Sequence, residues 1–257
     1  DRGGAPLSAA RSLLADNPGP FTLDGTRTWI VGRRDVAVID PGPDLPEHVR
    51  AVVRSVEGAD RVRILLTHGH GAHAGALDAV LERLPGVEVM GTGHPSARPL
   101  EPGEVVVTDS GSLEALPTPG HTRDHLAFHW TDRNALFAGD LVLGVGDTTW
   151  VGEYSGCVAD YLESLDRVET LGLSRIHPAH GPDILDPARA LEAYRAHRRD
   201  RIGQVRRLRD ELPSARFDEL MGAVYGSDVP EGLGGAARAS LQALIEYVDD
   251  HPEEEAG

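Results

Sequence analysis

Residues 61–75 (RVRILLTHGHGAHAG) constrain this chain more than any other stretch. Val62, Ile64, Leu65 and Leu66 make an apolar run of the length of a buried strand, which Thr67 ends. Three histidines follow, His68, His70 and His73. Positions two apart in an extended segment point the same way, so His68 and His70 share one side. From His73, Leu77, Val80, Leu81 and Leu84 recur at helical spacing, which predicts one helix with His73 in its first turn. Strand, loop and helix start thus aim three imidazoles at one point, and neutral imidazole is a preferred ligand of zinc. The bland alternative is a polar loop that happens to hold three histidines, and the histidines further along count against it.

Strand and helix signals alternate along the rest of the chain. Residues before Asn17 read as a short helix or arm, and Asn17-Pro18-Gly19-Pro20 is a turn cluster. Residues 21–23 and 28–31 read as strands around an Asp24-Gly25 hairpin turn. Further strands are expected at 36–39, 87–90, 105–107, 126–130, 135–138 and 174–177, and helices at 48–56 and 160–171. Polar candidates repeatedly sit just past a strand: Asp40, His121, Asp140 and His180. The loops at strand ends are where α/β proteins build their sites.

From residue 187 the texture changes. Residues 188–212 read as a long helix or two, with Arg195, Arg198, Arg199, Arg201, Arg206, Arg207 and Arg209 against Asp200 as the single acid between 195 and 209. Residues 217–225 and 236–248 are two more amphipathic helices, and 251–257 a disordered tail. The arginines have two readings, a solvated and partly self-paired face or a basic surface for phosphate or an acidic acyl carrier.

At 257 residues the chain forms one large domain or a domain with an appendage. Its net charge of −16 works against non-specific binding of nucleic acid or membrane. All 25 basic residues are arginine, which reads as compositional bias. The lone Cys157 excludes an internal disulfide and a multi-cysteine metal site, and a buried thiol is its default. With no membrane-length apolar run and no signal-peptide pattern at its start, a cytoplasmic location is expected.

In order, NPGPFTLDGTRTWIVG, IDPGP, THGHGAH, PGHTRDH, LFAGD, ADYLESL and PAHG resemble the metallo-β-lactamase superfamily. THGHGAH departs from that family's HxHxDH signature at Ala72, which stands in place of the aspartate. The opening segment and the C-terminal helices are similar to the β-lactamase-like protein 2 subgroup, in which a winged-helix-like module follows the catalytic domain, and AYRAHRRDR matches the module's start. The NPGPFTL opening is also shared with fungal thioesterases that release polyketides. The resemblance implies an α/β fold, a four-layer αββα metallo-β-lactamase sandwich over residues 1–186, with a small helical, winged-helix-like module at 187–250.

Carried over residue by residue, the resemblance implies one zinc site of His68, His70 and His121. Asp140 would bridge to a second metal, whose other ligands would be His73, His180 and the missing aspartate. Ions so placed acidify a bridging water for attack on a carbonyl or phosphoryl centre and steady the oxyanion that develops. Ala72 removes an anionic ligand of the second metal and the carboxylate best placed to orient the attacking water. The first zinc is therefore expected to bind firmly and the second weakly or not at all. Because the six other motif positions are kept, a single replacement that silences the site fits better than drift, which would erode several.

Other candidates are weaker. Thr148, Thr149, Trp150 and Tyr154 follow the Asp140 loop and are candidates for the substrate pocket, a plain loop being the alternative. His94, His125, His129 and His177 are expected to support the site or the fold, His48, His197 and His251 to lie on the surface, and Asp40 to orient a ligand loop. Arg27 and Trp29 stand where the subgroup has asparagine and tyrosine, so no substrate contact is carried over to them.

The leading expectation is a zinc-dependent hydrolase of an ester, thioester or lactone in a small molecule or carrier-bound acyl chain, impaired by Ala72. A single-stranded RNA endoribonuclease is the second, which the C-terminal arginines favour and the acidic remainder opposes. A catalytically silent binding protein is the third.

Overall fold

The computed structural model describes residues 10–226, 229 and 232–252; most of the expected tail lies outside the described residues. Ten strands form two five-stranded sheets. The first has the order β1 (Arg11–Leu14), β2 (Arg27–Val31), β3 (Asp35–Ile39), β4 (Arg61–Leu66) and β5 (Glu88–Gly91). It is antiparallel from β1 to β3 and parallel from β3 to β5. The second runs β10 (Arg175–Pro178), β9 (Ala135–Gly139), β8 (Leu126–Trp130), β7 (Gly111–Pro117) and β6 (Val105–Thr108), parallel only between β10 and β9.

Side-chain alternation along these strands sorts the apolar residues into three clusters that define four layers. Trp29, Val31, Ala37, Ile39 and Leu65 face Leu113, Phe128, Trp130 and Phe137 between the sheets. The intervening Ile30, Val36, Val38, Ile64 and Leu66 turn outwards onto α1 (Pro46–Ser55) and α3 (Leu77–Leu81), through Val49, Val52, Leu77 and Val80. On the far side Ala127, Leu136 and Ala138 meet Val158, Tyr161 and Leu165 of α4 (Cys157–Glu169). The expected αββα sandwich is thus the observed one, each sheet buried on both faces.

The C-terminal helices α5 (Pro187–Glu211), α6 (Phe217–Tyr225) and α7 (Gly234–Asp250) extend that third cluster. Tyr194, Ile202, Val205, Leu220, Leu241 and Leu244 share one core with α4 and sheet residue Leu136. Among the described residues beyond β10 there are helices and no strand, so a β wing is not among them. Several arginines of α5 are engaged by neighbouring groups, while Arg189, Arg199 and Arg207 are exposed. Arg195 pairs with Asp166, Glu169 and Glu192, Arg209 pairs with Asp249, and Arg206 donates to the His251 carbonyl. None of the helices is long and apolar enough to cross a membrane.

Several local expectations are corrected. The arm before Asn17 contains β1, whereas residues 21–23 form a turn. Leu23 sits at a left-handed φ of 55°, and the Asn17 side chain accepts from Thr26 N–H and donates to Thr26 Oγ1, so the chain folds back there. The helix expected from His73 onwards is split into α2 (Gly71–Ala74) and α3. Gly42 N–H donates to the His73 carbonyl and Ala76 N–H to the Gly42 carbonyl, so the loop after β3 takes the bonds that would continue α2. Helix α4 starts at Cys157, earlier than expected, with that thiol buried. His48 is buried rather than on the surface, bonded to Thr28 Oγ1 through Nε2 at 2.8 Å.

Because α7 completes the core over α4, Leu244→Ala should lower the unfolding free energy by about 2–5 kcal/mol. Denaturant unfolding should remain a single transition for the whole chain. A separate, early transition of the C-terminal helices that left the sandwich folded would contradict the shared core.

Candidate metal centre

The loops that leave β4, β7, β9 and β10 bring six polar side chains together at one end of the two sheets. His68 and His70 follow β4, His73 lies on α2, His121 follows β7, Asp140 follows β9 and His180 follows β10. Two of these approaches depend on glycine. Gly120 has φ of 134°, and a β-carbon there would lie 2.6 Å from the Tyr161 backbone. Gly139 has φ of 51°, and a β-carbon there would lie 2.7 Å from His125 Nε2 and 2.9 Å from the Thr67 side chain.

His70 Nδ1 lies 3.1 Å from His68 Nε2 and 3.1 Å from His121 Nε2. Tetrahedral zinc, with bonds of ~2.0–2.1 Å, sets its ligand atoms about 3.3 Å apart, so these spacings match edges of such a tetrahedron. Asp140 stands at the centre of the remaining ligands. Its carboxylate oxygens are 3.3 Å from His73 Nε2, 3.4 Å from His121 Nε2 and 3.3 Å from His180 Nε2. His68, His73 and Asp140 form a second ligand group compact enough for an ion. His73 Nε2 and Asp140 Oδ1 are buried with no hydrogen-bond partner, the condition expected of atoms whose lone pairs belong to a metal. The donor set therefore fits a divalent metal of the zinc or iron kind, with His68, His70 and His121 on one side and His73, His180 and Asp140 on the other.

The ring nitrogens that face away from the centre are also assigned. Asp40, in a left-handed conformation at φ 52°, accepts from Thr67 N–H at 2.8 Å, from Thr67 Oγ1 at 2.7 Å and from His73 Nδ1 at 2.8 Å. Since the Thr67 hydroxyl donates its one proton to Asp40, it must accept from His68 Nδ1–H at 3.0 Å. That leaves Nε2 of His68 unprotonated and free to ligate, and turns Nε2 of His73 towards the centre, where it must release its proton for a metal to bind. His121 Nδ1 donates to the Trp150 carbonyl at 2.8 Å, and His180 Nδ1 to the Gly25 carbonyl at 3.1 Å. Such partners fix the tautomer and raise the ligand's basicity. His125 accepts from Asp140 N–H through Nε2 at 3.2 Å, so its Nδ1 donates to Thr118 Oγ1, and it holds the Asp140 backbone in place.

Burial sets the charges. It lowers the His121 imidazole to about 4 and that of His125 to about 3, and pushes His68 well below the ordinary value. Burial also opposes a charge on His73, but Asp140 and Asp40 outweigh it and raise that imidazole to about 10. The Asp140 carboxyl, which burial alone would raise, is held well below the usual range by His73 and His180.

A cavity of about 640 Å³ opens over this cluster. Ala72 lines it between His70 and His73, in the position of the missing carboxylate. Thr148, Thr149 and Trp150 line it as well, and Thr149 Oγ1 donates to the Asp140 carbonyl at 3.0 Å, tying the wall to the ligand loop. Tyr154 belongs to a smaller adjoining recess with Arg123 and Glu153, where its hydroxyl donates to Asp160. Arg27 pairs with Asp24, while Trp29 turns into the core and donates to the Pro178 carbonyl. His94, His129 and His177 contact Asp78, Asn134 and Asp183 away from the centre. His197, expected on the surface, lines the cavity and contacts Asp147; His251 caps α7 through the Tyr247 carbonyl. Sequence reading did not foresee the contribution of α5, α6 and α7, which place Arg198, Arg201, Tyr225 and Ala236 on the cavity wall. The signal was there only as apolar residues at helical spacing, which says that a helix packs and not against what.

The fold and the site define a hydrolase of the metallo-β-lactamase class. The model of the metallo-beta-lactamase superfamily matches residues 22–97 and 93–180, and the chain belongs to that superfamily. It is 29% identical to a beta-lactamase-like protein 2 homolog of Caenorhabditis elegans, over 92% of this chain and 83% of that one. It is 33% identical to an atrochrysone carboxyl ACP thioesterase of Aspergillus chevalieri, over 92% of this chain and 78% of the relative. In structure it is similar to a metallo-beta-lactamase family protein of Thermus thermophilus, with a TM-score of 0.79, 21% identity and coverage of 95% and 94% of the two chains.

Two predictions follow from the geometry. Asp40→Asn should lower metal affinity by ~10–100-fold without touching a ligand, as read by competition with a chromophoric chelator. The metal-free protein should be most stable near pH 6.5, the ordinary histidine value. As pH falls from 6.5 towards 4, unfolded His121 and His125 take up protons that the fold refuses, so stability drops, by about 1.4 kcal/mol per pH unit for each. As pH rises from 6.5 towards 10, folded His73 keeps a proton that the unfolded chain has lost, and stability drops again. Urea unfolding of chelator-treated protein across this range checks both limbs; a flat alkaline limb would show that His73 is not charged.

Proposed function

We propose that the chain hydrolyses a thioester, or the related ester or lactone, of a small-molecule or carrier-bound acyl group, at a rate reduced by Ala72. The observation that carries this reading is the cavity itself. Five of the six candidate ligands, His70, His73, His121, Asp140 and His180, line its floor, and its walls are largely apolar, from Phe21, Leu143, Trp150, Leu233 and Ala236. Such a wall suits an acyl chain, and the thioesterases among the relatives support that choice.

His68, His70 and His121 would hold one divalent ion, zinc being the reading favoured by an all-imidazole set with an open position. His73, His180 and Asp140 would hold a second, weaker one. A metal bound there supplies Lewis acidity and a water acidified towards neutrality. The chain's own residues do the rest. Asp40, directly on His73 and through Thr67 on His68, holds the Nδ1 protons and so turns Nε2 of each ring towards the centre. The apolar wall excludes bulk water and orients the acyl group, and Trp150, stacked on His70 with centroids 5.9 Å apart, fixes the mouth of the ligand loop. Ala72 supplies no carboxylate to take up or relay the water's proton. RNA cleavage is a poorer match, because Arg195, Arg206 and Arg209 are held by neighbouring acids and the His251 carbonyl, which leaves fewer of the helix's cations to form a basic face.

Ala72→Asp tests the reading. Metal content should rise from about one to about two equivalents per chain, and hydrolysis of acyl-N-acetylcysteamine thioesters should rise by ~10–100-fold or more. A revertant that gains the second metal but stays inert towards thioesters, esters and lactones would sink the proposed activity.

A further inference from the structure

Three arginines illustrate how this chain treats a buried cation. Arg63 is paired with Asp35, and Arg195 with three carboxylates. Arg198, only 4% exposed, forms no ion pair among the described residues. Its Nε is buried with no hydrogen-bond partner, its Nη2 donates to the Thr149 carbonyl at 3.2 Å, and its guanidinium lies 5.4 Å from the centre of the Tyr161 ring. A buried charge without a counterion is costly, and a planar guanidinium fork matches a carboxylate in two-point geometry.

Arg198 also lines the cavity over the ligand cluster, together with Arg201. Arg201 donates to the Val224 carbonyl and to Gln204 Oε1, and among the described residues it too has no carboxylate partner. Two cations thus interrupt a largely apolar wall. Arg198 is a short bonded path from the reacting end, because Thr149 offers its carbonyl to Arg198 and its hydroxyl to the Asp140 carbonyl.

We propose that Arg198, seconded by Arg201, forms an anion-recognition site inside the cavity and that the acyl portion of the substrate carries a carboxylate that reaches it. The proposal rests on the thioester reading above and adds the substrate class to it. The shared chemistry is a multi-oxygen anion, which could come from the acyl group or from the phosphate of a phosphopantetheine arm. The close coupling of Arg198 to the Asp140 loop favours the acyl group, since the phosphate of that arm is separated from the thioester by a long chain.

The test uses the metal-loaded chain with Ala72 in place, so that binding is read under slow turnover. Glutaryl- and pentanoyl-N-acetylcysteamine differ only at the terminal group, carboxylate against methyl. The glutaryl thioester should bind about tenfold more tightly. That ratio should collapse towards one in Arg198→Met and be partly kept in Arg198→Lys, which has the charge without the fork. Equal binding of the two thioesters, or a ratio unchanged in Arg198→Met, overturns the anion site and leaves the hydrolase reading standing. If neither thioester binds, yet free glutarate raises the melting temperature of the chain and not of Arg198→Met, the anion site stands and the thioester reading falls. A gain that follows the phosphate of a pentanoyl-phosphopantetheine thioester instead overturns the acyl placement. Should Arg198→Met fail to fold, Arg201→Met, at a more accessible position, must still reduce the ratio; an unchanged ratio there overturns the proposal.

Discussion

One buried carboxylate, that of Asp40, fixes the geometry on which the rest of the centre depends. It closes β3 in a left-handed turn and takes three hydrogen bonds, two from Thr67 at the end of β4 and one from His73 on α2. Through them it joins adjacent parallel strands at the end where the ligands emerge and sets which nitrogen of His68 and His73 carries the proton. A negative charge placed behind the imidazoles also offsets the repulsion of cations gathered in front of them. The split between α2 and α3 belongs to the same arrangement, because the Pro41-Gly42-Pro43 loop that follows Asp40 captures the His73 carbonyl. An unbroken helix would satisfy that carbonyl internally and leave the loop unanchored.

The second sheet answers with its own positioning residues. His125 is kept neutral by burial and so can accept from Asp140 N–H, while Thr149 donates to the Asp140 carbonyl. The ligand that faces both halves of the cluster is therefore held from behind on its two backbone polar groups. Ala72 stands where the superfamily signature has aspartate, and the imidazoles around it remain oriented.

The C-terminal helices serve two purposes with the same residues. They cover the apolar outer face of the second sheet through α4, and their edge roofs the cavity over the ligands. Arg195, Arg206 and Arg209 of α5 are held by neighbouring acids and a carbonyl, which is why an acidic chain tolerates so basic a helix. Arg198 differs because the surface it meets is the cavity and the Tyr161 ring.

Much of this was legible in the residue order. The ligand set is short-range in its signal: each member ends a strand, and strands betray themselves by apolar runs bounded by glycine and proline. The alternation of strand and helix, together with the motif order, was enough for the αββα sandwich. The chain before Asn17 was not legible, since a four-residue exposed edge strand carries little pattern until β2 pairs with it. Neither was the burial of His48, which depends on Thr28 from another strand, nor the unpaired state of Arg198. Sequence alone marked the residues that can ligate, through side-chain type and spacing, and the resemblance to the superfamily signature marked Ala72 as its departure. Only the tertiary structure decided which nitrogen of each ring faces the centre, what roofs the cavity and, among the described residues, that Arg198 is buried without a counterion. Those depend on groups brought together from distant parts of the chain, and burial changes the cost of every charge among them.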